Sequence, residues 1–168
     1  IEAKTGDFAT AYEKQLQREE EDRKLREQDK AAEKQRQQKI EQELFDTFVK
    51  NDLPTLMDAS QNKVVVHKFK DVGIEFLRKV YDYVQAPERL GSGIAVLSSA
   101  SAEGAQILVG VSEDLTAKVS ANDVIKAIAP VINGSGGGKP TMAQAGSKEN
   151  QNLDAALTKA REIILGKL

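Results

Sequence analysis

The sequence predicts an α+β fold: a long N-terminal helical arm followed by a small mixed α/β sheet domain with helices packed on it. Three observations predict it. Asp7 to Lys50 contains neither glycine nor proline and is rich in Glu, Lys, Gln, Arg and Ala, all good helix formers. From Lys63 onward short β-branched runs alternate with segments of helical periodicity. Gly134-Ser135-Gly136-Gly137-Gly138 then interrupts the pattern before a last amphipathic segment.

The arm is read as one helix, with Glu19/Arg23, Glu20/Lys24 and Asp22/Arg26 as acidic-before-basic pairs at i,i+4. Phe8, Tyr12 and Leu16 begin an apolar stripe; Ile40, Leu44, Phe45, Phe48 and Val49 end one. Leu25 and a few alanines are all that interrupt the polar run between them. A coiled coil needs sustained apolar a and d positions, so two readings stand: a solvated spacer helix, or an arm that dimerises through its apolar ends. Asn51-Asp52-Leu53-Pro54 breaks the helix, and a short helix over Thr55 to Ser60 follows, with Asp52 as a cap. The helical subdomain is therefore drawn over 1–62 and the globular domain over 63–168.

In the globular part, Lys63 to Phe69 reads as a strand. Asp71 is placed to cap a helix burying Val72, Phe76, Leu77, Val80, Tyr81 and Val84, with Pro87 marking its end. Gly93–Ser99 and Ala105–Val111 are nearly continuous apolar strands joined by a hairpin turn at Ala102-Glu103-Gly104. Ser120 with Asp123 resembles a capping box for a helix to Asn133, which Gly134 would stop. Thr141 to Ala145 is expected as a short edge strand, and Asn152 as the cap of a final helix over Leu153 to Leu165.

Composition narrows function. There is no cysteine, which leaves no disulfide, thiolate metal site or thiol nucleophile, and fits a reducing cytoplasm. One histidine, His67, cannot build a triad or metal cluster alone. It reads as a packed or partly exposed strand residue beside Lys63, Lys68 and Lys70. Tyr81 and Tyr83 read as packing residues. No catalytic, metal or cofactor residue is assigned. The net charge of −2 excludes a broadly basic nucleic-acid surface, so any such contact must come from a local patch. No apolar run is long enough to span a membrane. The chain begins at Ile1 rather than Met and is read as a fragment cut from a longer protein.

The glycine segment fails the phosphate-loop pattern: Asn133 stands where its first glycine belongs, and Pro140 follows Lys139 where Ser or Thr is needed. It fails the dinucleotide fingerprint as well, lacking the third glycine and a preceding strand. A plain flexible linker does not account for Lys139-Pro140-Thr141-Met142-Ala143-Gln144-Ala145-Gly146. An ordered loop that offers backbone N–H groups and close approach to a flat or anionic ligand fits better.

Residues 136–146, GGGKPTMAQAG, followed by Leu153-Asp154-Ala155-Ala156-Leu157, resemble the C-terminal domain of alanyl-tRNA synthetase, which carries a Gly-Gly-Arg-Pro-Asp-Met-Ala-Gln-type signature before a final helix. The helical arm and the strand–hairpin–strand–helix order are similar too. Here Lys139 replaces the family's arginine, Thr141 an acidic residue and Ser147 a glycine. DHH phosphoesterases end in a related glycine-rich domain, but there a histidine usually follows the glycines. The resemblance implies a non-catalytic, cytoplasmic or organelle-matrix module of an alanine–tRNA ligase, with aminoacylation and editing domains upstream. It implies binding of the outer corner of alanine tRNA, with Gly136, Gly137, Gly138, Lys139 and Pro140 at the contact, Lys148 as a nearby phosphate partner and Lys118 a weaker candidate. A homodimer through the arm, and an accessory nucleic-acid-binding domain of a DHH-type phosphoesterase, are the alternatives.

Overall fold

Glu2–Thr47 form one continuous helix, α1, in the computed structural model, which describes residues 2–59 and 63–168. Of the expected i,i+4 pairs, Glu20/Lys24 forms, with Lys24 Nζ 3.0 Å from Glu20 Oε1; Gln15 Nε2 also donates to Glu19 Oε1 at 3.0 Å. Phe8, Tyr12, Leu16 and Leu25 are exposed. Among the described residues no helix is long and apolar enough to cross a membrane.

The chain divides into two compact units, Ile1–Leu44 and Phe45–Leu168. The sequence places the boundary after residue 62, and residues 60–62 lie outside the described ones. The end of the helical region belongs with the globular unit because of what it buries. A π-type turn, Phe48–Asp52, follows α1 and leads into α2, Leu53–Ala59. Phe48 is only 1 % exposed, with its ring 4.7 Å from that of His67 and 5.3 Å from that of Phe69. Leu53 is buried as well. The short helix thus starts at Leu53, two residues earlier than expected; its expected end, Ser60, lies outside the described residues.

The globular unit is a five-stranded sheet. β1 (Val64–Lys70) pairs parallel with β2 (Ile94–Ser101), and β2 pairs antiparallel with β3 (Gly104–Val111). β4 (Ser135–Gly138) and β5 (Met142–Ser147) complete the spatial order β1-β2-β3-β5-β4. The connection between the parallel strands is α3, Ile74–Val84. On the other face lie α4, Ala121–Ile128, and α5, Leu153–Lys167. Val96 and Val109, which pair across β2 and β3, share one buried cluster with Val124, Ile125, Ile128, Ala156, Ala160 and Ile164. Leu97 and Leu108 point to the opposite, α3 side of the pleat. There the Tyr81 ring covers Gly110 so closely that a Cβ at Gly110 would collide with it.

Several local expectations are corrected. Asp71 does not stand at the N-cap position of α3, which Gly73 occupies. β1 runs on to Lys70, the Asp71 N–H still donates to Ala100 O at 3.0 Å, and Asp71 turns the chain at φ +54°, so Gly73 precedes the helix. Neither Ser120 nor Asn152 makes a side-chain cap hydrogen bond. The first N–H of α4, that of Ala121, goes instead to Pro140 O at 2.8 Å. Pro130 tightens the end of α4 into a 3₁₀ turn, Ala129–Ile132. Asn133, at φ 51°, takes the left-handed stop position that Gly134 was expected to fill. The segment 141–145 is not an edge strand: β5 lies between β3 and β4, and the glycine segment itself forms the edge.

Candidate nucleic-acid interface

The glycine segment is a strand, and most of its glycines answer to its partner. In the β4–β5 ladder Gly136 stands opposite Ala145 and Gly138 opposite Ala143. A Cβ at Gly136 would lie 2.6 Å from Ala145 Cα, and one at Gly138 would lie 2.6 Å from Ala143 Cα. Ordinary cross-strand Cβ atoms stay about 4.5–5.5 Å apart, so these two positions are closed to any side chain. A Cβ at Gly134 would be similarly crowded, colliding with the Gly146 carbonyl oxygen and lying 3.0 Å from its carbon.

Gly137 differs. A Cβ there would meet only Asn122 Oδ1, at an ordinary 3.6 Å. Packing inside the domain does not require a glycine at this position. It also lines two adjoining hollows on the α3 side of the sheet. One, of about 300 Å³, is bounded by Ile74, Gln106, Gly136 and Gly146; the other, of about 380 Å³, by Arg78, Gly138, Lys139 and Met142. Gly137 and Gln144 belong to both. The hollows exist because α3 packs on β2 and β3 and leaves β5 uncovered, with Gln106 and Gln144 exposed on that face.

Two hydrogen bonds hold the ribbon in place. Asn122 Oδ1, at the start of α4, accepts the Gly138 N–H at 3.1 Å. The Lys139 N–H donates to Met142 O at 2.8 Å and closes the hairpin. Pro140 occupies the first central position of this turn, where its fixed φ suits. Its carbonyl serves α4 and that of Thr141 accepts the Val111 N–H at 2.8 Å. By the alternation of an antiparallel ladder, the Gly136 and Gly138 N–H groups face away from β5.

Gly136, Gly137, Gly138 and Lys139 are therefore brought together along one exposed edge, with the Lys139 ammonium unpartnered among the described residues. Pro140 adjoins them as a turn residue. Lys148 follows β5 and lines a further hollow with Asn133, Gly134 and Glu149, which shares Ser135 and Gly146 with the one of about 300 Å³. Lys118 lies in the turn before α4, away from both hollows beside Gly137. Sequence reasoning missed Arg78 and Gln144. Arg78 reaches from α3 across the open sheet, Nη2 donating to Gln144 Oε1 at 2.8 Å and Nη1 to Glu75 Oε1 at 3.2 Å. The signal was available in outline: an arginine sits within a helix read only for its apolar face.

His67 and the tyrosines are accounted for by packing. His67 lies against Phe48 and Phe69, and burial pushes its pKa below the usual histidine value despite Asp52, 3.9 Å away. Tyr81 is buried. Tyr83 meets the Phe45 ring edge-on at 5.1 Å and carries the Arg89 guanidinium over its ring at 3.5 Å.

A mixed five-stranded sheet with helices on both faces, edged by a glycine-rich ribbon pinned to a helix start, defines a small glycine-ribbon α+β domain. Comparison with known proteins gives the family. The chain belongs to the DHHA1 domain family, whose model matches residues 61–166. It is 44 % identical over 77 residues to an alanine–tRNA ligase of Desulfosudis oleivorans, a stretch covering 46 % of this chain and 9 % of that protein. Its fold is similar to the C-Ala domain from Aquifex aeolicus alanyl-tRNA synthetase, with a TM-score of 0.53 and 27 % identity, over 60 % of this chain and 89 % of that one. The resemblance read from residues 136–157 is thereby borne out, as is the fold class.

Proposed function

We propose that this chain is a non-catalytic C-terminal module of an alanine–tRNA ligase. It binds the outer corner of tRNA and helps present the molecule to aminoacylation and editing domains elsewhere in the same polypeptide, in the cytoplasm. The observation that carries the reading is Gly137: an open, unfilled position on an exposed backbone edge, between Arg78 and Lys139. A flat, stacked surface can approach such an edge as closely as bare backbone allows, while cations hold the flanking phosphates. The corner of tRNA offers both features. Identity to an alanine–tRNA ligase supports the synthetase over a DHH-type phosphoesterase.

Binding by the isolated chain is expected to be weak, because its net charge is −2. The module would act chiefly by raising effective concentration while other domains hold the acceptor end. Nuclease footprinting of alanine tRNA with the chain tests this. Protection confined to the D and T loops supports it; protection confined to the acceptor stem overturns it. The exposed Phe8, Tyr12 and Leu16 favour a second role for the arm as a homodimer contact, which sedimentation of the chain as a monomer in analytical ultracentrifugation would rule out.

A further inference from the structure

The hollows beside Gly137 contain one planar cation, Arg78, whose bonding is incomplete. Its Nη2 is held by Gln144, a neutral partner, at 2.8 Å. Its Nη1 faces Glu75, whose side chain is 82 % exposed. A pair of that kind is held weakly and exchanges readily. Its Nε–H is buried and has no acceptor. The guanidinium therefore loses little by turning toward a better anion. Lys139 lies on the rim of the same hollow but carries a point charge without a fork.

We infer that Arg78 is the phosphate-contacting residue of the glycine-ribbon groove, exchanging Glu75 for a backbone phosphate of the bound RNA while Gln144 keeps the guanidinium in place. The inference rests on the tRNA-binding reading above. A phosphate matches the planar fork with two parallel N–H···O bonds, which a single exposed carboxylate at 3.2 Å does not. Glu75 is then a gatekeeping anion: it holds Arg78 in the free protein and competes with RNA for it. The arrangement also places a planar fork beside the ribbon, where the ribbon's own cation is a lysine.

The test is a salt titration of the whole chain with alanine tRNA transcript, for the unchanged protein and for Arg78→Gln, Arg78→Lys and Glu75→Gln. Arg78→Gln should weaken binding about tenfold and reduce the slope of log Kd against log salt by roughly 0.7–0.9, the share of one phosphate. Arg78→Lys should keep the slope while losing affinity, and Glu75→Gln should tighten binding several-fold. Melting curves of each variant separate a folding defect from a contact, since a purely structural arginine would move affinity alike in Gln and Lys and leave Glu75→Gln without gain. An unchanged slope in Arg78→Gln, with tRNA still bound, overturns this inference alone. No tRNA binding by the unchanged chain overturns the tRNA reading together with it.

Discussion

Gly136 and Ala145 face each other so closely that a Cβ on the glycine would lie 2.6 Å from the alanine Cα, while one residue on, a Cβ at Gly137 would meet only Asn122 Oδ1, at an ordinary 3.6 Å. The glycine ribbon thus holds two kinds of glycine. Gly136→Ala and Gly138→Ala should each destabilise the domain, by about 1–3 kcal/mol, the usual range for overpacking against a neighbour that cannot yield. Gly137→Ala should leave stability within about 0.5 kcal/mol. Urea denaturation of the three variants checks the contrast.

The Tyr81 ring lies on Gly110 in the same manner. Gly110→Ala should cost about 1–3 kcal/mol. Adding Tyr81→Leu should recover part of that loss, because the clashing ring is removed. A double-mutant cycle by thermal denaturation measures the recovery.

Phe48 and Leu53 are core residues of the globular unit. A chain of residues 45–168 should therefore fold cooperatively, whereas one of residues 63–168 lacks both side chains and should be markedly less stable; loss of a buried phenylalanine alone costs about 3–5 kcal/mol. Circular dichroism melts of the two fragments test where the unit begins.

His67 gives the fold a pH dependence. Burial lowers its pKa in the folded state below the unfolded value, so the unfolded chain binds more protons in that range. The stabilisation is complete above the unfolded pKa of about 6.5 and is lost as pH falls from there through the folded pKa. His67→Phe should flatten this part of the stability–pH profile, measured by chemical denaturation between pH 7.5 and roughly 5.

Much of the fold was legible because periodicity survives in the sequence wherever side chains are packed. The apolar positions of α3 and α5 and the continuous runs of β2 and β3 emerge within a residue or two of their observed bounds; α4 starts at Ala121 as expected but ends at Ile128 rather than Asn133, where a 3₁₀ turn takes over. The ribbon was not legible as a strand. Glycines carry no side chains to alternate, so the ribbon shows no strand pattern even though its partner β5 is the next arm of the same hairpin. The caps failed for another reason: the N–H of Ala121 is satisfied by Pro140, nineteen positions along the chain, rather than by Ser120. In the candidate site, Gly136 to Lys139 were found from composition and resemblance. Arg78 and Gln144 were not, because their meeting depends on where α3 ends relative to an uncovered strand.

The most direct measurement is the affinity of the chain, unchanged and as Gly137→Asp, for intact alanine tRNA and for an acceptor minihelix lacking the corner. The account predicts that the unchanged chain binds the intact tRNA and not the minihelix, and that Gly137→Asp keeps its melting temperature while losing at least tenfold in tRNA affinity. Equal affinity for tRNA and minihelix, or full tRNA binding by a folded Gly137→Asp, would contradict it.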